Sequence, residues 1–245
     1  MNAHHPLDPS TPSPANTAYW VTPRHLAGDD DRLAEQIGTL LTDTGWRNWP
    51  TARDTFLYVG PDELRGAEWV LASYPFELGG LPVAWQVSAR ARLDSAMTTW
   101  NAYFTTGTPH EALGDFLLAL DARTEPDAGF DEPETVLTTL TTHGWIRDID
   151  RPVTTATDPT FAASVSLEAL PDLVHDADPR PDLTGWQAWA EPVLGEPYLW
   201  CATFSASVPH DLVAAFVASI ASPVPVLRHT LPEGADGRLT VVRAT

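Results

Sequence analysis

The sequence predicts an α+β fold of two tandem related domains, each an antiparallel sheet of three to four strands with helices packed on one face, in the order helix–strands–helix. Two observations carry that expectation. The first is a repeat. Trp100-Asn101-Ala102-Tyr103-Phe104, Pro109-His110-Glu111 and Phe116 return 100 residues later as Trp200-Cys201-Ala202-Thr203-Phe204, Pro209-His210-Asp211 and Phe216, and Gly45-Trp46 returns as Gly144-Trp145. The second is a change of hydrophobic period within each copy, from helical spacing to strand alternation and back. A copy of this length can close its own core, unlike repeats of roughly 20–50 residues that must stack to be stable. On this reading residues 1–18 are a flexible tail, 19–122 the first domain, 123–132 a linker, and 133–245 the second domain with a C-terminal extension.

The elements follow in chain order. Met1 to Ala18 is rich in Pro, Ser, Thr and Asn and has no apolar period. Tyr19-Trp20-Val21 starts a strand that Pro23 limits. Asp29, Asp30 and Asp31 precede the helical stripe of Leu33, Ile37, Leu40 and Leu41, where carboxylates cap free amides and meet the positive end of the helix. Gly45 ends that helix, since glycine accepts the left-handed backbone of a C-cap. Phe56 to Val59 and Trp69 to Tyr74 are extended candidates. Val83 to Leu93 alternates most clearly, with Trp85, Val87, Ala89, Ala91 and Leu93 on one face and Gln86, Ser88, Arg90 and Arg92 on the other. After the Trp100 strand, Thr108-Pro109-His110-Glu111 reads as a capping box with proline at the first helical position. Ala112, Leu113, Phe116, Leu117 and Leu120 then form an apolar stripe. In the second copy Val136 and Leu140 match Ile37 and Leu41, Phe161 to Leu167 alternates, and 171–185 reads as loop. Trp186 and Trp189 fall near the place of Trp85. Leu212, Val213, Phe216, Val217 and Ile220 repeat the last stripe, and Val224 to Leu227 with Leu239 to Val242 suggest a closing hairpin.

Composition narrows the function classes. The formal charge is -19, and all 14 basic residues are arginine. Phosphate-backbone binding depends on neutralisation by Lys and Arg, so direct binding of that kind is disfavoured; a basic protein partner, or self-association, fits better. The single cysteine, Cys201, excludes an intrachain disulfide and a multi-cysteine metal site. No apolar run reaches the roughly 20 residues of a membrane helix, and the first residues lack the basic and apolar regions of a signal peptide. The expectation is a cytoplasmic protein with no membrane association, no cofactor and no metal.

No motif nominates a catalytic group. Gly79-Gly80 lacks the residues of a phosphate loop, and no serine lies in a Gly-x-Ser-x-Gly elbow. His110 and His210 recur but occupy the first turn of equivalent helices, where an exposed structural role suffices. Candidate binding residues are instead those that the repeat does not explain: Trp20, Arg24 and His25 in the opening segment, Arg90 and Arg92, and Trp186 and Trp189. An arginine such as Arg24 can clamp a carboxylate, or it can pair with the neighbouring aspartates. Exposed aromatics would make a recognition surface.

Tyr19-Trp20-Val21-Thr22-Pro23-Arg24-His25-Leu26-Ala27-Gly28 resembles the opening motif of DUF317-containing proteins of Streptomyces and related actinobacteria. The segments from Trp100 through Pro109-His110-Glu111 to Leu120, and from Trp200 through Pro209-His210-Asp211 to Ile220, are similar to that family's recurrent signature, present here as two tandem copies. The resemblance implies no activity, since the family's function is unknown. The reading is of a non-enzymatic protein-binding or adaptor module that presents a composite surface from its two domains to a protein partner. Its alternatives are a nucleic-acid-associated charge mimic or accessory factor, and an enzyme using a pocket near Arg24 and His25.

Overall fold

The structure, a computed structural model, describes residues 17–29, 31–70, 76–127, 132–167, 185–235 and 237–244. Residues 171–184 of the expected loop and most of the expected tail lie outside them, while Gly185 opens a strand. An opening strand, β1 (Tyr19–Thr22), leads through a short 3-10 turn (Arg24–Leu26) into the first copy. That copy comprises α1 (Asp31–Asp43), β2 (Arg47–Pro50), β3 (Thr55–Val59), β4 (Arg65–Val70), β5 (Glu77–Leu78), β6 (Leu81–Ala89), β7 (Trp100–Thr105) and α2 (His110–Ala122). The second repeats the order with α3 (Glu134–Thr142), β8 (Ile146–Arg147), β9 (Thr155–Thr157), β10 (Ala163–Ser166), β11 (Gly185–Ala190), β12 (Trp200–Ser205) and α4 (His210–Ile220). Two final strands are β13 (Val226–Arg228) and β14 (Thr240–Arg243). Among the described residues no helix is long and apolar enough to cross a membrane.

The α+β class holds, with helices packed against an antiparallel sheet, but the expected pair of three- to four-stranded sheets is one sheet. Its path runs β2-β3-β4-β6-β7-β12-β11-β10-β9-β8, and β5 pairs β6 off that path. The join is β7 against β12, in the register Ala102–Phe204, Tyr103–Thr203 and Phe104–Ala202. Exchanging equivalent residues of the two copies maps this register onto itself, as in an isologous dimer contact. The physical reason is edge satisfaction. The last strand of either copy would otherwise leave a row of backbone donors and acceptors open, and the other copy supplies them.

The helices on one face close the same junction. Phe104, Phe116, Phe204 and Phe216 are fully buried, and their contacts obey the same exchange: Phe104–Phe216 centroids lie 5.5 Å apart and Phe116–Phe204 5.6 Å, with Phe104–Phe204 at 5.6 Å between them. The recurring Gly-Trp pair has a local cause. Gly45 and Gly144 take positive φ; the amides of Trp46 and Trp145 return to the carbonyls of Leu41 and Leu140, while the glycine amides return to Thr42 and Thr141. That is a Schellman end, and it drops each tryptophan into the core.

Three local expectations change. Strand β6 stops at Ala89, and a register shift between Val83 and Trp85 sends Val83 to the opposite face. There it joins Phe76, Leu78, Tyr103, Trp189 and Cys201 in a small second core. Arg90 and Arg92 therefore lie beyond the strand, and Leu93 is exposed. The capping box does not form: the Thr108 hydroxyl has no partner, and Glu111 serves another residue. Lastly, β13 and β14 do not pair with each other. They flank β1 in a separate three-stranded sheet that ties the two ends of the chain together.

Candidate functional site

The nominated opening segment ends against the second copy. Beyond β1, the 3-10 turn buries His25 at the C-terminal end of α4, with its ring against the edge of Trp145 (5.6 Å) and Nε2 3.8 Å from Asp158 Oδ2. Burial pulls the His25 pKa below its ordinary value, against the opposing pull of Asp158 and a hydrogen bond to the Ile220 backbone. Arg24 donates to the Ser219 hydroxyl (2.8 Å), and the Trp200 indole N–H donates to the His25 carbonyl (2.9 Å). Asp158, His25 and Ser219 thus sit near one another, but Asp158 is already saturated. It accepts from the amides of Thr160, Ala162 and Ala163 and from the Thr160 hydroxyl. The carboxylate holds the β9–β10 turn, where Phe161 takes positive φ.

The first copy solves the same problem with one residue. Arg65 points toward the helices and donates to the carbonyls of Leu120, Asp121 and Arg123 at the end of α2, while pairing with Asp62 (2.6 Å) in the β3–β4 turn. A cation there satisfies the free carbonyls and meets the negative end of the helix. In the second copy Ala163 stands at that position, and His25 with Arg24 come from the opening segment instead. Likewise the Trp100 indole N–H donates to Pro126, just after α2, where Trp200 uses His25. The opening segment thus does for the second copy what residues 123–126 do for the first.

Ion pairs cross between the copies in the same manner. Arg228 of β13, fully buried, grips Glu111 of α2 through two bonds of 2.7 Å and donates from Nε to the carbonyls of Ala27 and Gly28. Arg123, after α2, pairs with Asp211 of α4. Burial pushes the Glu111 carboxyl upward, but the hydrogen bonds and charge of Arg228, with His110 beside it, outweigh burial and hold it below its usual value. His110 Nδ1 lies 3.2 Å from Glu111 and 3.6 Å from Asp29. Among the described residues no group of three or more His, Cys, Asp and Glu is placed to hold a metal ion.

The remaining nominated residues are dispersed. Arg90 donates twice to the Glu63 carbonyl (3.1 and 2.8 Å) at the rim of a shallow cleft, and Arg92 pairs with Asp94 in solvent. Trp186 is buried under the helices as the counterpart of Trp85, with the His210 ring 6.1 Å away; Trp189 lies in the second core. Cys201 is in that core as well, and burial, with the nearby charge of Glu191, raises its thiol pKa far above neutrality.

Trp20 alone of the seven stands in an apolar surface array. In the terminal sheet Val21 and Val226 face inward with Ala27, whereas Trp20 lies directly opposite Leu227 on one side and Val242 on the other. These three side chains form one cross-strand row, 46%, 37% and 58% exposed. Arg228, beside Leu227, pins this sheet to α2. The nominated residues do not include Arg65, Arg123, Asp158 and Arg228. Arg65 alone carried a signal, since it shares strand parity with Ala67 and Trp69, and a charge on a buried face requires a partner.

Comparison with known proteins adds one match. No curated protein and no solved structure matches the chain. The model of the domain of unknown function DUF317, also termed SPDY, matches residues 60–126 and 169–226, just over half of the chain. The first segment runs from the β3–β4 turn to just past α2; the second ends at the start of β13. Neither includes the opening segment. The chain belongs to the DUF317 family, with two tandem copies of its domain.

Proposed function

We propose that the chain is a non-enzymatic docking module that presents a composite surface to a protein partner, centred on the outer face of the terminal sheet. The observation that carries this reading is the exposed row Leu227–Trp20–Val242. A tryptophan flanked by aliphatic side chains on a rigid support has the character of an interface anchor. Supporting it, His25, Asp158 and Ser219, the groups that resemble catalytic parts, are buried, and the Asp158 carboxylate is already engaged by the β9–β10 turn. A formal charge of -19 favours a partner that carries positive charge around its own apolar anchor.

The test is affinity capture from the source cells with the wild-type chain and with Trp20→Ser. Trp20 is an exposed strand residue, so folding should survive the change. Proteins retained by the wild type and lost from the variant are expected. An identical set on both baits, or none on either together with a monomer at all concentrations, would overturn the proposal. Concentration-dependent self-association abolished by Trp20→Ser would identify the partner as a second copy.

A further inference from the structure

A cleft of about 500 Å³ opens beside the terminal sheet. One wall is the β11–β12 connection, with Val193, Glu196, Pro197, Tyr198 and Leu199; the other is Glu233 with Gly234, from the segment joining β13 to β14. Its volume lies in the range of ligand sites, roughly 300–1,000 Å³. Among the described residues no basic one lines it.

The cleft is held in shape. The Leu199 amide donates to Ala190 (2.8 Å), and the Gly195 amide to the Glu191 carboxylate (2.6 Å). Tyr198 packs on the second core, where Gly79 leaves room for its ring: a Cβ at Gly79 would lie 2.6 Å from Tyr198 Cδ2. The repeat does not reproduce this chemistry, because Thr98 and Thr99 stand where the second copy has Tyr198 and Leu199. A feature specific to one copy is not required by the shared scaffold.

We infer that this cleft receives a lysine or arginine side chain of the partner that docks on the terminal sheet, an inference that rests on the reading above. The match is chemical. Such a side chain has an aliphatic stem for Val193, Pro197 and Leu199, and a cation for the Tyr198 ring and for two carboxylates, one on each wall. The charge of -19 raises the local concentration of cationic groups and disfavours anionic ones.

Two measurements on the full chain test it. In the first, acetyl-Gly-Arg-Gly-amide and the neutral acetyl-Gly-Gln-Gly-amide are titrated while the backbone amide signals of Tyr198 and Gly234 are followed by NMR. The arginine peptide alone is expected to give saturable shifts, weakened about two- to fivefold by either Glu196→Gln or Glu233→Gln and further by salt. Equal responses to both peptides, or no response to either, would overturn the inference. In the second, the capture experiment is repeated with the Glu196→Gln/Glu233→Gln double variant. Partners lost from this variant and from Trp20→Ser support both proposals. Partners lost only from Trp20→Ser leave the docking surface standing and overturn the cleft. Partners lost only from the double variant support the cleft and overturn the sheet.

Discussion

Glu111→Ala is expected to lower the unfolding free energy by roughly 3–5 kcal/mol, the range for removing one partner of a buried ion pair. The effect is large because of what remains. Arg228 has no exposed surface, and without Glu111 its guanidinium stays inside with only carbonyl acceptors. The value should fall toward the lower end, since Glu111 itself keeps 22% side-chain exposure. Asp211→Ala, at the equivalent site of the other copy, is expected to cost about 1 kcal/mol or less, because that pair is far more solvated. A Glu111→Leu/Arg228→Met double variant should recover most of the loss, as a buried pair replaced by apolar groups often does. Urea unfolding of the four proteins checks the ordering.

The pH dependence has a definite sign. The Glu111 carboxyl sits below its ordinary value of 4.5 in the folded chain. Its contribution is therefore present above pH 4.5 and is lost as the pH falls through the folded value. Acidification from pH 5 downward should destabilise the wild type more than Glu111→Ala. Equal acid sensitivity would show that other carboxylates carry the transition.

The second large effect concerns the junction. Phe104→Ala and Phe204→Ala are each expected to cost about 3–5 kcal/mol, the usual penalty for truncating a buried phenylalanine. Each ring touches the same set of partners under exchange of copies: Phe104 meets Phe116, Phe204 and Phe216, and Phe204 meets Phe216, Phe104 and Phe116. The two losses should therefore agree within about 1 kcal/mol. A loss confined to one of them would mean that only one copy depends on the junction.

How much of this was legible in the sequence follows from the range of the forces involved. Helix ends are local, so Gly45-Trp46 and Gly144-Trp145 announced themselves through backbone needs that three or four residues settle. The inward faces of β7 and β12 were legible too, since alternation over six residues separates Trp100, Ala102 and Phe104 from their neighbours. The merger of the two sheets was not legible. An apolar strand at a domain edge can be covered by a helix, a loop or another strand, and period alone cannot choose among them. The terminal sheet was hidden for another reason: Val226–Arg228 is three residues long, too short for alternation to separate Leu227 outside from Arg228 inside. Trp20 stands out because the repeat does not explain it. Its row-mates Leu227 and Val242 lie more than 200 residues away, and only the fold brings them to it. His25 and Arg24 stood out for the same reason as Trp20, yet their partners, Asp158 and Ser219, belong to the other copy.

These observations make the chain a fused pseudo-dimer: the duplicated residues and the paired charges join the copies, and the surface we propose for recognition lies where the copies differ. The most direct measurement of that union is urea unfolding of the chain labelled with 5-fluorotryptophan, reading by fluorine NMR the signals of Trp46 in the first copy and Trp145 in the second. Both signals should change at one urea concentration in the wild type, and Phe104→Ala should lower both midpoints together. Separate midpoints, or a shift of Trp46 with Trp145 left in place, would contradict the account.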